Sequence, residues 1–285
     1  MPSLLDLRRR VRSIRNTEHV TKAMKMVSAA KLRRAQEAIL SARPYALKML
    51  EVLNSLATRA RPEAHPLLRV REPRRVEVIV ITADKGLCGS FNANIIKAAV
   101  AFLEKERAGE LALRIVGRRG REFFRRRDYI VRHELVNISR ELSYQHAASV
   151  AGPVIERYGR AEVDAVYTIY NEFKSALQQN VVVERLLPLE KLKFERPEEE
   201  FDYIYEPTAA LIYDDILPKH VEYQVWRALL ESAAAEHAAR MTSMDNASKN
   251  AAELIDQLTL TMNRARQASI TKEILEVVSG AEALK

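Results

Sequence analysis

Apolar side chains at Leu4, Leu7, Val11, Ile14, Met24, Val27, Leu32, Ile39, Leu47, Leu50 and Leu53 fall on or near a spacing of three to four residues, the period of a helix with one buried face. No proline intervenes between Pro2 and Pro44. The spacing therefore predicts one helix over residues 3–57, roughly 80 Å long, bent at Pro44 where the ring removes a hydrogen bond and crowds the preceding turn. A second stripe runs through Val221, Val225, Leu229, Ala233, Met241, Met244, Ala247, Ala251, Leu254, Leu258, Met262 and Ala265, with neither proline nor glycine between Pro218 and Gly280. It predicts a helix over 219–279, roughly 90 Å long. Small residues on this stripe admit a close neighbour, and methionine fills uneven contacts. Pairing the two flanks as a long antiparallel coiled coil buries both stripes; a multi-helix bundle is the alternative.

The centre has a different rhythm. Seven of the eight glycines lie between 86 and 159, so this window holds the turns. Strands are predicted at 76–82, 111–116, 163–170 and 181–187, with helices at 92–105, 119–126 and 141–157, the last complicated by Pro153. Alternation of this kind predicts a Rossmann-like α/β domain whose last two strands form a hairpin. Pro197, Glu198, Glu199, Glu200 and Pro207 mark its exit. The parts are a helix in 1–60, an α/β domain in 75–205 and a helix in 208–285.

With 285 residues and 47% hydrophobic side chains the chain is long enough for a substantial core. No apolar run is long enough to span a bilayer. The arginines of MPSLLDLRRR follow a very short apolar stretch, the wrong order for a secretory signal, and Asp6 argues against a presequence. Thirteen lysines and arginines stand against four acids in residues 1–60, so this segment carries the whole net charge of +8. It asks for an acidic partner: nucleic acid, an anionic membrane or an acidic protein loop.

Candidate chemistry is sparse. The turn at 82–92, TADKGLCGSFN, joins a strand to a helix through Gly86 and Gly89, as many phosphate sites do. It matches neither phosphate-loop pattern, and a strand-to-helix corner needs glycine for its own geometry, so a structural corner is the reading preferred over a nucleotide site. Cys88, the single cysteine, lies near a helix start with Lys85 close by but has no local base, so a small buried side chain is expected. The six histidines show no ligand spacing. In GRRGREFFRRRD, 117–128, Phe123 and Phe124 turn inward and leave the arginines on a solvated face. The segment 263–281 differs in kind: Arg264, Arg266, Gln267, Ser269 and Thr271 project from several faces of one helix, as if touched from more than one side.

Three stretches, NTEHVTKAMKMVSAAKLRRAQ at 16–36, DKGLCGSFN at 84–92 and ARQASITKEILEVVSGAEA at 265–283, resemble the γ subunit family of F-type ATP synthase, in that family's order. Ile270, Thr271, Glu273, Glu276, Gly280 and Ala281 fit its C-terminal signature. The resemblance implies a rotor shaft turning inside a ring of α and β subunits, with the α/β domain meeting the ε subunit and the ring of c subunits. It also implies no active site, cofactor or metal of its own, no nucleic acid, and a place on the cytoplasmic face of a bacterial inner membrane. Arg266 and Gln267 would contact an acidic catch loop of β, Met24 and Lys25 would lie beside its acidic lever, and Arg240, Thr271 and Glu273 would couple rotation to catalysis. Asp84, Lys85, Gly86, Leu87, Cys88 and Gly89 form the structural loop motif. Ala83 stands where the family often has a serine, and the cysteine-bearing insertion of chloroplast members is missing, so thiol regulation of that kind is not expected.

Overall fold

The computed structural model describes residues 3–59, 65–106, 109–138, 142–175, 178–189 and 209–282. Helix α1 (Leu4–Arg59) is followed by strand β1 (Arg75–Ile81), α2 (Phe91–Lys105), β2 (Glu110–Val116), α3 (Arg118–Phe124), β3 (Ile130–Leu135), α4 (Tyr144–Gly159), β4 (Ala165–Phe173), β5 (Gln179–Leu187) and α5 (Ala209–Glu282). The chain divides into two compact units. One is Met1–Ser28 with Met241–Lys285, and the other is Ala29–Arg240.

The larger unit is built on a five-stranded sheet ordered β3-β2-β1-β4-β5. The first four strands are parallel and β5 returns antiparallel on β4, as the expected hairpin. Both faces are covered, so β1 reads RVEVIVI with nearly every position buried. Val76, Val78 and Val80 pack with Ile95, Ala99 and Leu103 of α2 and Phe124 of α3. Ile79 and Ile81 pack on the opposite side with Val150, Val154 and Tyr158 of α4, Leu53 of α1, and Val221, Val225 and Leu229 of α5. Within this unit α1 and α5 run antiparallel. Tyr223 donates from its hydroxyl to the Ala42 carbonyl at 3.1 Å, and Tyr45 meets the Tyr223 ring at 5.8 Å, while Lys31 is close enough to Glu236 and His237 to perturb their titration.

In the smaller unit, Leu7, Val11, Thr21 and Ser28 are buried on α1, and Met244, Ser248, Ala251 and Ile255 on α5, at the three-and-four spacing of a coiled coil. Thr21 and Ser28 occupy seam positions because their hydroxyls bond back to the carbonyls of Glu18 and Met24, at 3.0 and 2.8 Å. Lys25 of α1 pairs with Asp245 of α5 at 2.6 Å.

Several expectations change. Val27, Leu47 and Leu254, placed on the stripes, are exposed; the seam drifts around each helix, and Ser28 and Ile255 take the buried places beside two of them. Strand β3 was not anticipated, because IVRHEL alternates exposed and half-buried positions at the sheet edge and carries charge. Pro44, Pro153 and Pro218 lie inside helices that continue on both sides. Pro197, Glu198, Glu199, Glu200 and Pro207, and Glu141 at the predicted start of α4, fall outside the described residues.

Candidate functional site

The loop leaving β1 sits where the strand order reverses, between β1 and β4, the place where open α/β sheets of this kind bind ligands. Its own side chains close it. Thr82 donates from its backbone N–H and its hydroxyl to the Val116 carbonyl, at 2.8 and 2.9 Å, and accepts the Gly120 N–H at 2.9 Å. That proximity explains Gly117, whose backbone has φ +92°: a Cβ there would lie 2.1 Å from the Thr82 carbonyl oxygen. Asp84 is buried, and one of its oxygens accepts the backbone N–H of Arg118 at 3.1 Å and of Asn137 at 2.9 Å. It ties the ends of three strands together.

Asn92, in the first turn of α2, accepts the Ala83 N–H at 2.9 Å and donates to the Cys88 sulfur at 3.2 Å. Leu87 and Gly89 both take left-handed backbone conformations. Cys88 is 1% exposed, and burial pushes its thiol above the ordinary range although Arg240 pulls the other way. It is a packed side chain, as expected, rather than a nucleophile.

The loop is held from α5. Arg240 donates to the Gly86 carbonyl through Nε at 3.3 Å and Nη2 at 3.2 Å, reaches the Lys85 carbonyl at 3.5 Å, and pairs with Glu236 at 2.7 Å. Arg240, Glu236 and His237 are 8%, 7% and 9% exposed. Burial raises the Glu236 carboxyl, and the Arg240 cation partly offsets it. Burial likewise lowers His237 to about 4, aided by Arg240 and Lys31, so the ring is neutral at physiological pH. The corner that the sequence presents as a possible phosphate cradle is thus held by an internal guanidinium that takes up its outward carbonyls.

Of the residues singled out by resemblance, Arg240 joins this buried loop, in the larger unit. Met24, Lys25, Arg266, Gln267, Thr271 and Glu273 belong to the smaller unit. Met24 is half-buried, and Lys25 is exposed and paired to Asp245. Arg266, Gln267, Thr271 and Glu273 are all exposed; Thr271 donates to the Gln267 carbonyl at 3.0 Å and Ser269 to Glu273 at 3.2 Å. Apolar neighbours share that exposure: Ile270 is 48%, Leu275 60% and Val277 72% accessible. Among the described residues, positions 270–279 of this helix end are all exposed.

Glu236 and His237 were missed as partners of this loop by sequence reasoning. Glu236 could have been suspected from its i,i+4 spacing to Arg240; His237 carries no local signal. Asp84→Ala is expected to destabilise the larger unit by about 2 kcal/mol, since two backbone donors lose a charged acceptor. Denaturant unfolding followed at the single tryptophan, Trp226, measures it.

The family model described as ATP synthase matches residues 3–284. The chain is 52% identical to the ATP synthase gamma chain of Pelotomaculum thermopropionicum and 50% identical to that of a Geobacter species, each over the whole of both chains. Among solved structures it is similar to a chain of the central stalk and c-ring of the Tetrahymena thermophila mitochondrial ATP synthase. That similarity reaches a TM-score of 0.61 at 28% identity over 80% of this chain and 99% of the other. A chain from the Euglena gracilis mitochondrial enzyme shares the fold at a TM-score of 0.70 and 19% identity, over 99% of this chain and 94% of that one.

Proposed function

This chain belongs to the ATP synthase γ-chain family, the central rotor shaft that couples ion-driven rotation to ATP synthesis or hydrolysis and is not itself catalytic, and from that premise we propose which residues carry the coupling. Arg266 and Gln267 meet an acidic catch loop of β, Met24 and Lys25 lie beside the acidic lever of β, and Thr271 and Glu273 extend the same contact along α5. Residues 1–60 and 208–285 serve as shaft helices and 75–205 as the foot. The foot joins ε and the c-ring on the cytoplasmic face of a bacterial inner membrane, with α and β around the shaft and no nucleic acid.

The observation that carries this reading is the bare end of α5. A helix with Ile270, Ile274, Leu275, Val277 and Val278 exposed together with Arg266, Gln267 and Thr271 is not a frayed polar tail; an apolar surface of that kind marks an interaction site. A surrounding ring supplies the missing cover. Weak, exchangeable polar contacts suit a part that must turn, because tightly complementary ones would hold it in place. Each β then meets a different face of one asymmetric shaft and is biased toward a different state.

The test has two parts. The tagged chain is purified from native membranes; recovery of α, β and ε with ATPase activity only in the complex is expected, and recovery with nucleic acid alone would overturn the reading. Arg266→Ala with Gln267→Ala should then impair ATP synthesis while the complex still assembles. Unchanged synthesis would refute the assignment of those two residues.

A further inference from the structure

Beside the loop that Arg240 closes lies a cavity of about 280 Å³, wholly within the larger unit, bounded by α1, α5 and the C-terminal ends of β1 and β2. Ile81, Val116, Leu142 and Trp226 contribute apolar wall, and Lys31, Arg34, Asp84, Glu236 and His237 contribute polar groups. A space of this size with mostly apolar walls and a few convergent polar groups has the make-up of a small-molecule site.

The charges inside are not balanced. Glu236 is neutralised by Arg240 at 2.7 Å. The Asp84 carboxylate is met by two backbone donors at 3.1 and 2.9 Å. His237 is neutral, its ring held well below the usual range by burial. Lys31 and Arg34, by contrast, form no ion pair among the described residues, although the adjacent Arg33 pairs with Glu37 at 3.8 Å. Both are exposed, while the carboxylates lie deeper. The excess charge at the rim is therefore positive, and the wall behind it is hydrocarbon and indole.

We propose that this cavity is a binding site for a small amphipathic anion, a short single-chain carboxylate whose head meets Lys31 and Arg34 and whose tail lies against Trp226 and Leu142. A carboxylate fits because Lys31 and Arg34 form no ion pair among the described residues, whereas an ammonium would compete with Arg240 for carboxylates already engaged. A chain of moderate length is matched to a cavity of about 280 Å³. Such an occupant touches both α1 and α5 and so stabilises the larger unit by mass action.

Octanoate, octanol and octylammonium, which share one tail, are titrated against the full-length chain while Trp226 fluorescence is recorded. Saturable binding of octanoate is expected, at least tenfold tighter than either of the others and accompanied by a rise in melting temperature. Lys31→Glu, at an exposed position, should weaken octanoate at least tenfold. Ala233→Leu, which places bulk in the cavity wall, should remove the fluorescence response to all three. Equal affinity for octanol and octanoate, a response that does not saturate, or octanoate binding that survives both substitutions would overturn the proposal.

Discussion

Replacing Arg240 by alanine is expected to destabilise the larger unit by about 3–5 kcal/mol, the usual cost of removing one partner from a buried ion pair. Glu236 would be left 7% exposed and unpaired, and the Gly86 and Lys85 carbonyls would lose their donor. The loss has a pH signature. Burial already raises the Glu236 carboxyl, and Arg240 is what holds it down, so without the cation Glu236 takes up a proton at a higher pH than in the wild type. Arg240 also lowers His237, so its removal lets that ring protonate more readily. Both effects relieve the variant as pH falls, and its deficit relative to wild type should shrink on acidification. Denaturant unfolding at several pH values, followed at Trp226, reads this out, and a deficit independent of pH would contradict it.

A lysine at the same position separates fold from coupling. Arg240→Lys keeps a cation for Glu236 but loses the planar fork that reaches Gly86 and Glu236 together. Stability should largely return. If Arg240 acts in coupling by fixing the central loop to α5, ATP synthesis by the assembled complex should remain impaired in the lysine variant. In this account Arg240 is a positioning residue, since its guanidinium is buried and engaged with its own chain. Full recovery of synthesis would mean that the charge alone suffices.

The elements themselves were largely legible in the chain. Period alone located α1 and α5, because a helix that buries one face repeats it over many turns, and β1 shows as a valine- and isoleucine-rich run broken only by Glu77. What failed was local: β3 lies at the sheet edge, where IVRHEL has no need of an apolar face, and Thr21 and Ser28 hold seam positions that a hydrophobicity pattern assigns to solvent. The site was legible only in halves. The loop motif and the C-terminal segment each stood out, but the bond from Arg240 to Gly86 joins residues 154 apart in sequence. Spacing along a chain carries no information about contacts at such separation. The resemblance supplied Arg240 as a residue of interest, and the coordinates supply its reason: it takes up the Gly86 and Lys85 carbonyls of the loop after β1.

Acidification from pH 7 to pH 4.5 should destabilise the larger unit steeply, and two histidines account for the slope. Burial lowers His220 to about 4, helped by the Arg227 cation, with Gln224 the polar neighbour at 3.2 Å. His237 falls to about 4 beside Arg240, Lys31 and Glu236. In the unfolded chain each ring titrates near 6.5. Above that value neither state binds the proton; between 6.5 and 4 the unfolded state binds it and the folded state does not, so stability falls as pH falls. Across the whole window each ring contributes up to about 3 kcal/mol. Carboxylates held low by partners, such as Asp164 beside Arg75, lose their contribution only below the ordinary carboxylate range and so act at lower pH. Glu231 and Glu236, both raised by burial, oppose the histidines and offset part of their slope. His220→Asn with His237→Gln should therefore flatten the profile between pH 6.5 and 4.5 and leave stability at pH 7.5 changed by less than the slope removed. Trp226 fluorescence in urea at each pH provides the free energies, and an unaltered slope in the double variant would place the acid sensitivity in other groups.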